Sequence, residues 1–211
     1  MNTEVDESAL SENIIEVVPP QASIKMLKLI SVDNGVSWID AYHPPGPYIV
    51  KGTNPKFKFI VTNDGEVPIT EIEVNDNKYG LIGSAAVLNP DESLQWIIEG
   101  VWSLGPHVNE AEAKGKYVER TVVDNYRAHY RGIDICISIV KYVSVNNGMT
   151  WLDADTSPGP LLPEGISPKF KYVIKNCGEE TLSDIVLEDS VLGVLPTPIT
   201  LGKNQVYELI V

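Results

Sequence analysis

The chain has 211 residues, which at about 100–200 residues per domain allows one or two domains. Its 29 Asp and Glu against 16 Lys and Arg give a net charge of −13, leaving no electrostatic footprint for a nucleic-acid partner. No apolar run approaches the ~18 residues of a membrane span, and 16 Gly with 15 Pro favour frequent turns over a helical bundle.

The chain opens on MNTEVDESALSEN, which lacks the basic and apolar regions of a signal peptide. Residues 1–20 read as an N-terminal extension. Within it Asn13-Ile14-Ile15-Glu16-Val17-Val18 is a β-branched run, closed by the Pro19-Pro20 pair that favours an extended hinge.

Further along, Ile24–Val32 reads as a strand, followed by the turn Asp33-Asn34-Gly35. Lys56-Phe57-Lys58-Phe59-Ile60-Val61 alternates, with Phe57, Phe59 and Val61 on one face and the lysines on the other, as a half-buried strand requires. Ile69–Val74, Leu94–Ile98, Val108–Tyr117 and Thr121–Tyr130 continue the series. The turns Asn63-Asp64-Gly65 and Asn89-Pro90-Asp91 separate them, Asn and Gly supplying positive φ at little cost.

The pattern then starts again. Shifting the sequence by 113 positions aligns Ser31–Gly65 with Ser144–Gly178 without a gap, and 17 of the 35 positions are identical. Trp38 falls on Trp151, Asp40 on Asp153, Pro45-Gly46-Pro47 on Pro158-Gly159-Pro160, and Asn63 on Asn176. The same offset pairs Ile72 with Ile185, Asp76 with Asp189, Gly80 with Gly193 and Leu88 with Leu201. A period this long means tandem whole domains, over about residues 21–132 and 133–211, and not a solenoid of short repeats. Short strands with turns every 8–12 residues predict an all-β fold of two tandem immunoglobulin-like antiparallel β-sandwiches.

The run SVDNG, W, DA, PGP, PKFKF and VTNDG of the first half, answered in the second by SVNNG, W, DA, PGP, PKFKY and IKNCG, resembles the immunoglobulin-like repeats of bacterial and archaeal cell-surface and extracellular stalk proteins. The resemblance covers nearly all of residues 23–211. It implies a secreted or cell-surface location and a structural, non-enzymatic role.

The second copy stops at Val211, the counterpart of Ile98, whereas 35 residues, Glu99 to Ile133, follow Ile98 in the first. The second sandwich is therefore expected to lack its last strands and to expose an edge that recruits another strand. Ile14, Ile15, Val17 and Val18 are the candidate donor, and Tyr207, Leu209 and Val211 the strand beside the acceptor. Donor and acceptor at opposite ends make a head-to-tail homopolymer, a filament. A fragment of a monomeric adhesin stalk or spacer is the first alternative, and a calcium-dependent carbohydrate-binding module, with possible glycan contact, the second.

For catalysis the inventory is thin. His43, His107 and His129 form no metal or triad motif, no phosphate loop is present, and nothing selects one pair among the carboxylates. Asp33, Asn34 and Asp40, with Asn146, Asn147, Asp153 and Asp155 in the second copy, place oxygen ligands in a turn and the strand after it. Ca²⁺ could take such a set, but the EF-hand loop pattern is not matched and Asn-Gly and Asp-Gly turns look like this with no metal, so turn chemistry is the favoured reading. Asp124 and Asp134 are a second acidic pair. Trp38 and Trp151 read as packing residues, while Trp96 and Trp102 occur only in the first copy, where a carbohydrate platform is the alternative. Cys136 and Cys177 permit one disulfide, two buried thiols, or a bridge to a neighbour.

Overall fold

The computed structural model describes residues 18–197 and 200–211. The donor candidates Ile14, Ile15 and Val17 lie outside the described residues, while Val18 is exposed. The fold is all-β and sandwich-like, with 17 strands and no helix among the described residues.

Nine strands precede residue 134: β1 (Lys25–Ser31), β2 (Ile39–Asp40), β3 (Tyr48–Val50), β4 (Lys56–Thr62), β5 (Ile69–Asp76), β6 (Gly80–Leu88), β7 (Ser93–Glu99), β8 (Gly105–Tyr117) and β9 (Arg120–Ile133). They form a four-stranded sheet, β2-β1-β4-β7, and a five-stranded sheet, β3-β9-β8-β5-β6. Alternation explains the core: Met26, Lys28 and Ile30 of β1 and Phe57, Phe59 and Val61 of β4 are all buried, as are Ala111 and Ala113 of β8 and Ala128 and Tyr130 of β9. Burying each Phe side chain contributes about 1.5–3 kcal/mol.

Eight strands follow: β10 (Ile137–Ser144), β11 (Leu152–Asp153), β12 (Lys169–Asn176), β13 (Leu182–Ser183), β14 (Leu187–Asp189), β15 (Gly193–Leu195), β16 (Thr200–Leu201) and β17 (Val206–Ile210). The sheet β11-β10-β12-β17 repeats β2-β1-β4-β7 strand for strand. The pairs β14-β15 and β13-β16 repeat the β5-β6 hairpin in register: Asp189 faces Gly193 as Asp76 faces Gly80, and Leu182 faces Leu201 as Ile69 faces Leu88. Among the described residues, no strand of this half corresponds to β3, β8 or β9.

The two copies share their corners. Asn63 Nδ2 donates to the carbonyls of Val67 and Leu88, both at 2.8 Å, and Asn176 Nδ2 to those of Glu180 and Leu201, at 2.8 and 2.9 Å. Gly65 and Gly178 leave no room for a Cβ, which would lie 2.5–2.6 Å from the backbone passing beside each turn.

Two features depart from the expected pattern. β3 pairs with the end of β9 in parallel, Tyr48 against Arg131 and Val50 against Ile133, so the architecture is not wholly antiparallel. The cause is the loop before β3, which carries the chain past β9 so that both strands then run the same way; Arg131 N–H donates to the Pro47 carbonyl and Lys51 N–H to that of Ile133. The strand β6 has no counterpart among the sequence-based strands, because Gly80, Gly83, Ser84, Ala85 and Ala86 have little β propensity; pairing with β5 supplies the order instead.

Candidate functional site

In the first copy, β9 ends inside a slot formed by the loop from Ala41 to Pro47. His129 N–H donates to the Ala41 carbonyl at 2.8 Å and Arg131 N–H to the Pro47 carbonyl at 3.0 Å. The fit is close enough that a Cβ on Gly46 would sit 2.0 Å from the His129 carbonyl oxygen. The rings of Phe57 and Tyr130 lie 6.3 Å apart, and His107 stacks on Tyr130 at 4.6 Å.

The same loop in the second copy encloses an open cleft of about 480 Å³. Val143, Ala154, Pro158, Gly159, Leu162 and Phe170 line it. Gly159 has the φ of Gly46, +70° against +69°, yet a Cβ there would meet only the Ala154 side chain, at 3.9 Å. Ile49 is 1 % exposed and its counterpart Leu162 49 %; Met26 is 1 % exposed and its counterpart Ile139 54 %. Ala154 and Phe170 are also more open than Ala41 and Phe57. β5 carries β8 on one side and β6 on the other, but β14 is paired with β15 alone among the described residues. Cleft and free edge together are the positions that β9 and β8 occupy in the first copy.

This places the opening differently from the expectation. β17, which carries Tyr207 and Leu209, corresponds to β7, and both are edge strands of their sheets. Tyr207 and Leu209 instead pack, partly buried, on the second core of Tyr172, Ile174, Leu187, Leu195 and Leu201.

At the edge of that core lies a charged group. Lys141 Nζ donates to Asp189 Oδ2 at 2.6 Å, and the Tyr172 hydroxyl donates to the same oxygen at 2.6 Å. Asp189 Oδ1 accepts from the N–H groups of Val191 and Leu192. These donors, the Lys141 ammonium first, hold the Asp189 carboxyl well below the usual carboxylate range, and Asp189 in turn raises the pKa of Lys141. Lys141 also lies 4.4 Å from the centre of the Phe170 ring.

The acidic turns spend their oxygens locally. Asp33 accepts from Ser37 N–H and Oγ and from Ser31 Oγ, which lowers its carboxyl pKa to about 2. Asn146 repeats the arrangement with Ser144 and Thr150. The Asn34 carbonyl accepts from Lys56 Nζ, and Asn34 and Asn147 both adopt the left-handed conformation their turns require. Asp40 accepts from the Tyr126 hydroxyl and Tyr42 N–H, and Asp153 from Asp155 N–H, which leaves Asp155 at the exposed end of that turn. Asp124 accepts from Met26 N–H, and Asp134 pairs with Lys51 at 2.8 Å. Among the described residues no group of three His, Cys, Asp or Glu side chains could hold a metal ion.

Cys136 and Cys177 are joined in a disulfide with their Cα atoms 4.9 Å apart. The tryptophans form no exposed platform. A Cβ on Gly83 would lie 2.2 Å from Trp96 Nε1, Trp102 Nε1 donates to the Ile49 carbonyl, and Trp38 carries Lys58 4.1 Å above its ring centre. Trp151 has Lys171 at 5.3 Å in the same way. His107 is held by Ser103, and burial, ahead of the Arg127 charge, pushes the His129 imidazole pKa down.

Lys141, Asp189, Ala154 and Leu162 escaped the sequence-based site. Their signal was present all the same: Asp189 aligns with Asp76, and Lys28 stands between Met26 and Ile30 on the inward parity of its strand. No protein-family model matches the chain, and no curated protein matches it.

Proposed function

We propose that the protein is a non-enzymatic structural subunit of an extracellular or cell-surface fibre, built from two tandem immunoglobulin-like domains. Its second domain is an acceptor, completed by strand addition from a neighbouring copy. One observation carries this reading: the second copy reproduces the sheet order of the first, yet its loop from Ala154 to Pro160 and the edge of β14 stay open where β9 and β8 close the first copy. An apolar cleft beside unpaired backbone groups is a surface that another strand covers, main-chain hydrogen bonds giving affinity and alternate side chains register. The Ala154 and Pro160 carbonyls are the acceptors equivalent to those of Ala41 and Pro47 in the first copy.

Asn13–Val18 is the donor in this account. Its β-branched residues suit a strand lane, and the Pro19-Pro20 hinge separates it from the first domain. Because donor and acceptor surfaces differ, the contact is heterologous and propagates as a filament. The disulfide supports an oxidising, extracellular location.

Sedimentation velocity and electron microscopy of the whole chain test the reading. Polymers are expected, and deleting residues 1–20 is expected to leave monomers. Filaments that persist without that segment would overturn the donor assignment, and a chain that stays monomeric at high concentration would overturn self-assembly.

A further inference from the structure

The chain enters both copies past the same corner. Glu66 N–H donates to the Gln21 carbonyl at 2.8 Å, and Glu179 N–H to the Asp134 carbonyl at 2.8 Å. A Cβ on Gly65 would lie 2.6 Å from the Gln21 carbonyl oxygen, and one on Gly178 2.5 Å from that of Asp134. The offset of 113 positions therefore holds in space at Gln21 and Asp134. Directly before Asp134 stands Ile133, the end of β9. Carried back one further step, the offset sets Asn13–Pro20 against Tyr126–Ile133, the half of β9 that the Ala41–Pro47 loop holds. No residue is identical between these two segments, so the match rests on continuity from the corner.

The residue types agree with that register. Along β9, Ala128 and Tyr130 are buried, while Arg127, His129 and Arg131 are not. The offset sets Ile15 and Val17 at the two buried places and Glu16 at the outer place between them; a slip of one residue would turn Glu16 inward. β9 donates to the loop through the N–H groups of His129 and Arg131, whose places fall to Glu16 and Val18. Pro19 and Pro20, which have no N–H, come after the second of these donors. The charged contacts of the junction also change in pairs. Lys51 bonds Asp134 at 2.8 Å, and their counterparts are Glu164 and Gln21, so the reversed charge at 164 faces an amide and not a second carboxylate. Arg131 lies 3.7 Å from Glu180, and their counterparts are Val18 and Val67, an apolar pair in place of an ion pair.

We infer that residues 13–20 fill the second domain of a neighbouring copy in the register in which Tyr126–Ile133 fill the first domain of their own chain. The junction between copies then repeats the Ile133–Asp134 junction within a chain. This inference rests on the strand-addition reading and fixes its geometry. Val17 lies over Phe170 as Tyr130 faces Phe57, and the N–H groups of Glu16 and Val18 donate to the Ala154 and Pro160 carbonyls. Val18, Pro19 and Pro20 run parallel to Leu161, Leu162 and Pro163, as Arg131–Ile133 run beside Tyr48–Val50. The first copy offers no such place, because β9 already occupies its slot.

Disulfide trapping in the full chain reads the register. Val18 is 77 % and Leu161 90 % exposed, so a cysteine at either position leaves the core untouched. Partners on adjacent strands have Cα atoms within disulfide reach. The double variant Val18→Cys with Leu161→Cys, oxidised under assembling conditions, is expected to give a ladder of covalent multimers on a non-reducing gel. Ile14→Cys with Leu161→Cys, about 13 Å out of register, is expected to give none. Filaments that yield no ladder from the first variant, or as full a ladder from the second, would overturn the register and leave strand addition standing. Monomers closed by an internal bond between positions 18 and 161 would overturn the junction between copies. A chain that forms no filaments would overturn strand addition itself, and the register with it. As an independent measurement, Val17→Asp is expected to raise the concentration needed for assembly by at least about tenfold, and Glu16→Lys to leave it nearly unchanged. Equal effects of the two substitutions would contradict the inward placement of Val17.

Discussion

The two copies answer the same sequence pattern with different degrees of closure. Inward positions that are sealed in the first copy, Met26, Ile49 and Phe57, become Ile139, Leu162 and Phe170 in the second, where the first two are about half exposed and the third is only partly buried. The four-stranded sheet is preserved in both, and so are the corner asparagine and the Asp-to-Gly turn of the hairpin. The part that differs is the other sheet, in which β8 and β9 of the first copy have no counterpart among the described residues. A β-sandwich therefore divides into a sheet that forms from its own alternation and a covering layer that can be separated from it. The second copy adds a disulfide on the preserved side, linking Cys136 at the approach to β10 with Cys177 after β12.

The largest expected effect comes from the core aromatics. Phe57→Ala is expected to cost about 3–5 kcal/mol, as in other fully packed cores, and Phe170→Ala about 1–2 kcal/mol, because its ring already meets solvent. Denaturant unfolding followed for each copy separately checks the difference; equal losses would mean that the second core is as closed as the first. Next comes the disulfide, which closes a 41-residue separation and contributes on the order of 3–4 kcal/mol in the chain-entropy account. Cys136→Ala with Cys177→Ala is expected to lower the melting transition of the second copy and leave that of the first in place, which differential scanning calorimetry resolves.

The glycine pair separates steric fit from backbone strain. Both Gly46→Ala and Gly159→Ala incur about 1–2 kcal/mol for a side chain at positive φ. Gly46→Ala adds about 1–3 kcal/mol of overpacking against the His129 carbonyl, whereas Gly159→Ala meets open space. If the cleft receives a strand in trans, Gly159→Ala also weakens assembly without a matching loss in monomer stability, a combination that sedimentation velocity and thermal melts report together.

The smallest effect concerns the turns. Asp33 has its pKa lowered from 3.8 to about 2 by bonds made only in the folded chain. Its stabilisation is therefore complete above about pH 4 and is lost as the pH falls towards 2. Asp33→Asn copies Asn146 of the second copy and is expected to remove this acid-dependent step with little change at neutral pH. An acid titration of stability that is the same for Asp33→Asn and the parent would contradict the assignment. If calcium bound these turns instead, Asp33→Asn would lower the melting point only when calcium is present.

Much of this was legible in the sequence because it depends on short-range patterning. The alternation in Lys56–Val61 located β4, and the gapless offset of 113 positions foretold which strands would recur. β6 was hidden because its residues are small and take their order from the neighbouring strand. The site was less legible for a different reason. The residues given pair no segment of the second copy with Glu99–Ile133, but which edge that leaves uncovered depends on sheet order, which the match of β17 with β7 supplies. Asp33 and Asn146 are ambiguous in the sequence because a turn that binds its own N–H groups and one that binds calcium use the same residue types.

Hydrogen exchange at Leu187–Asp189 and Leu161–Glu164, measured as the protein concentration is raised, tests the central claim most directly. Amides on an open edge exchange fast, and strand addition would protect them. The account predicts fast exchange in dilute monomer and slow exchange under assembling conditions, with the β12 amides protected throughout. Exchange at these two segments that is equally fast in monomer and in polymer would contradict it, since the chains would then associate without filling the place that β8 and β9 fill in the first copy.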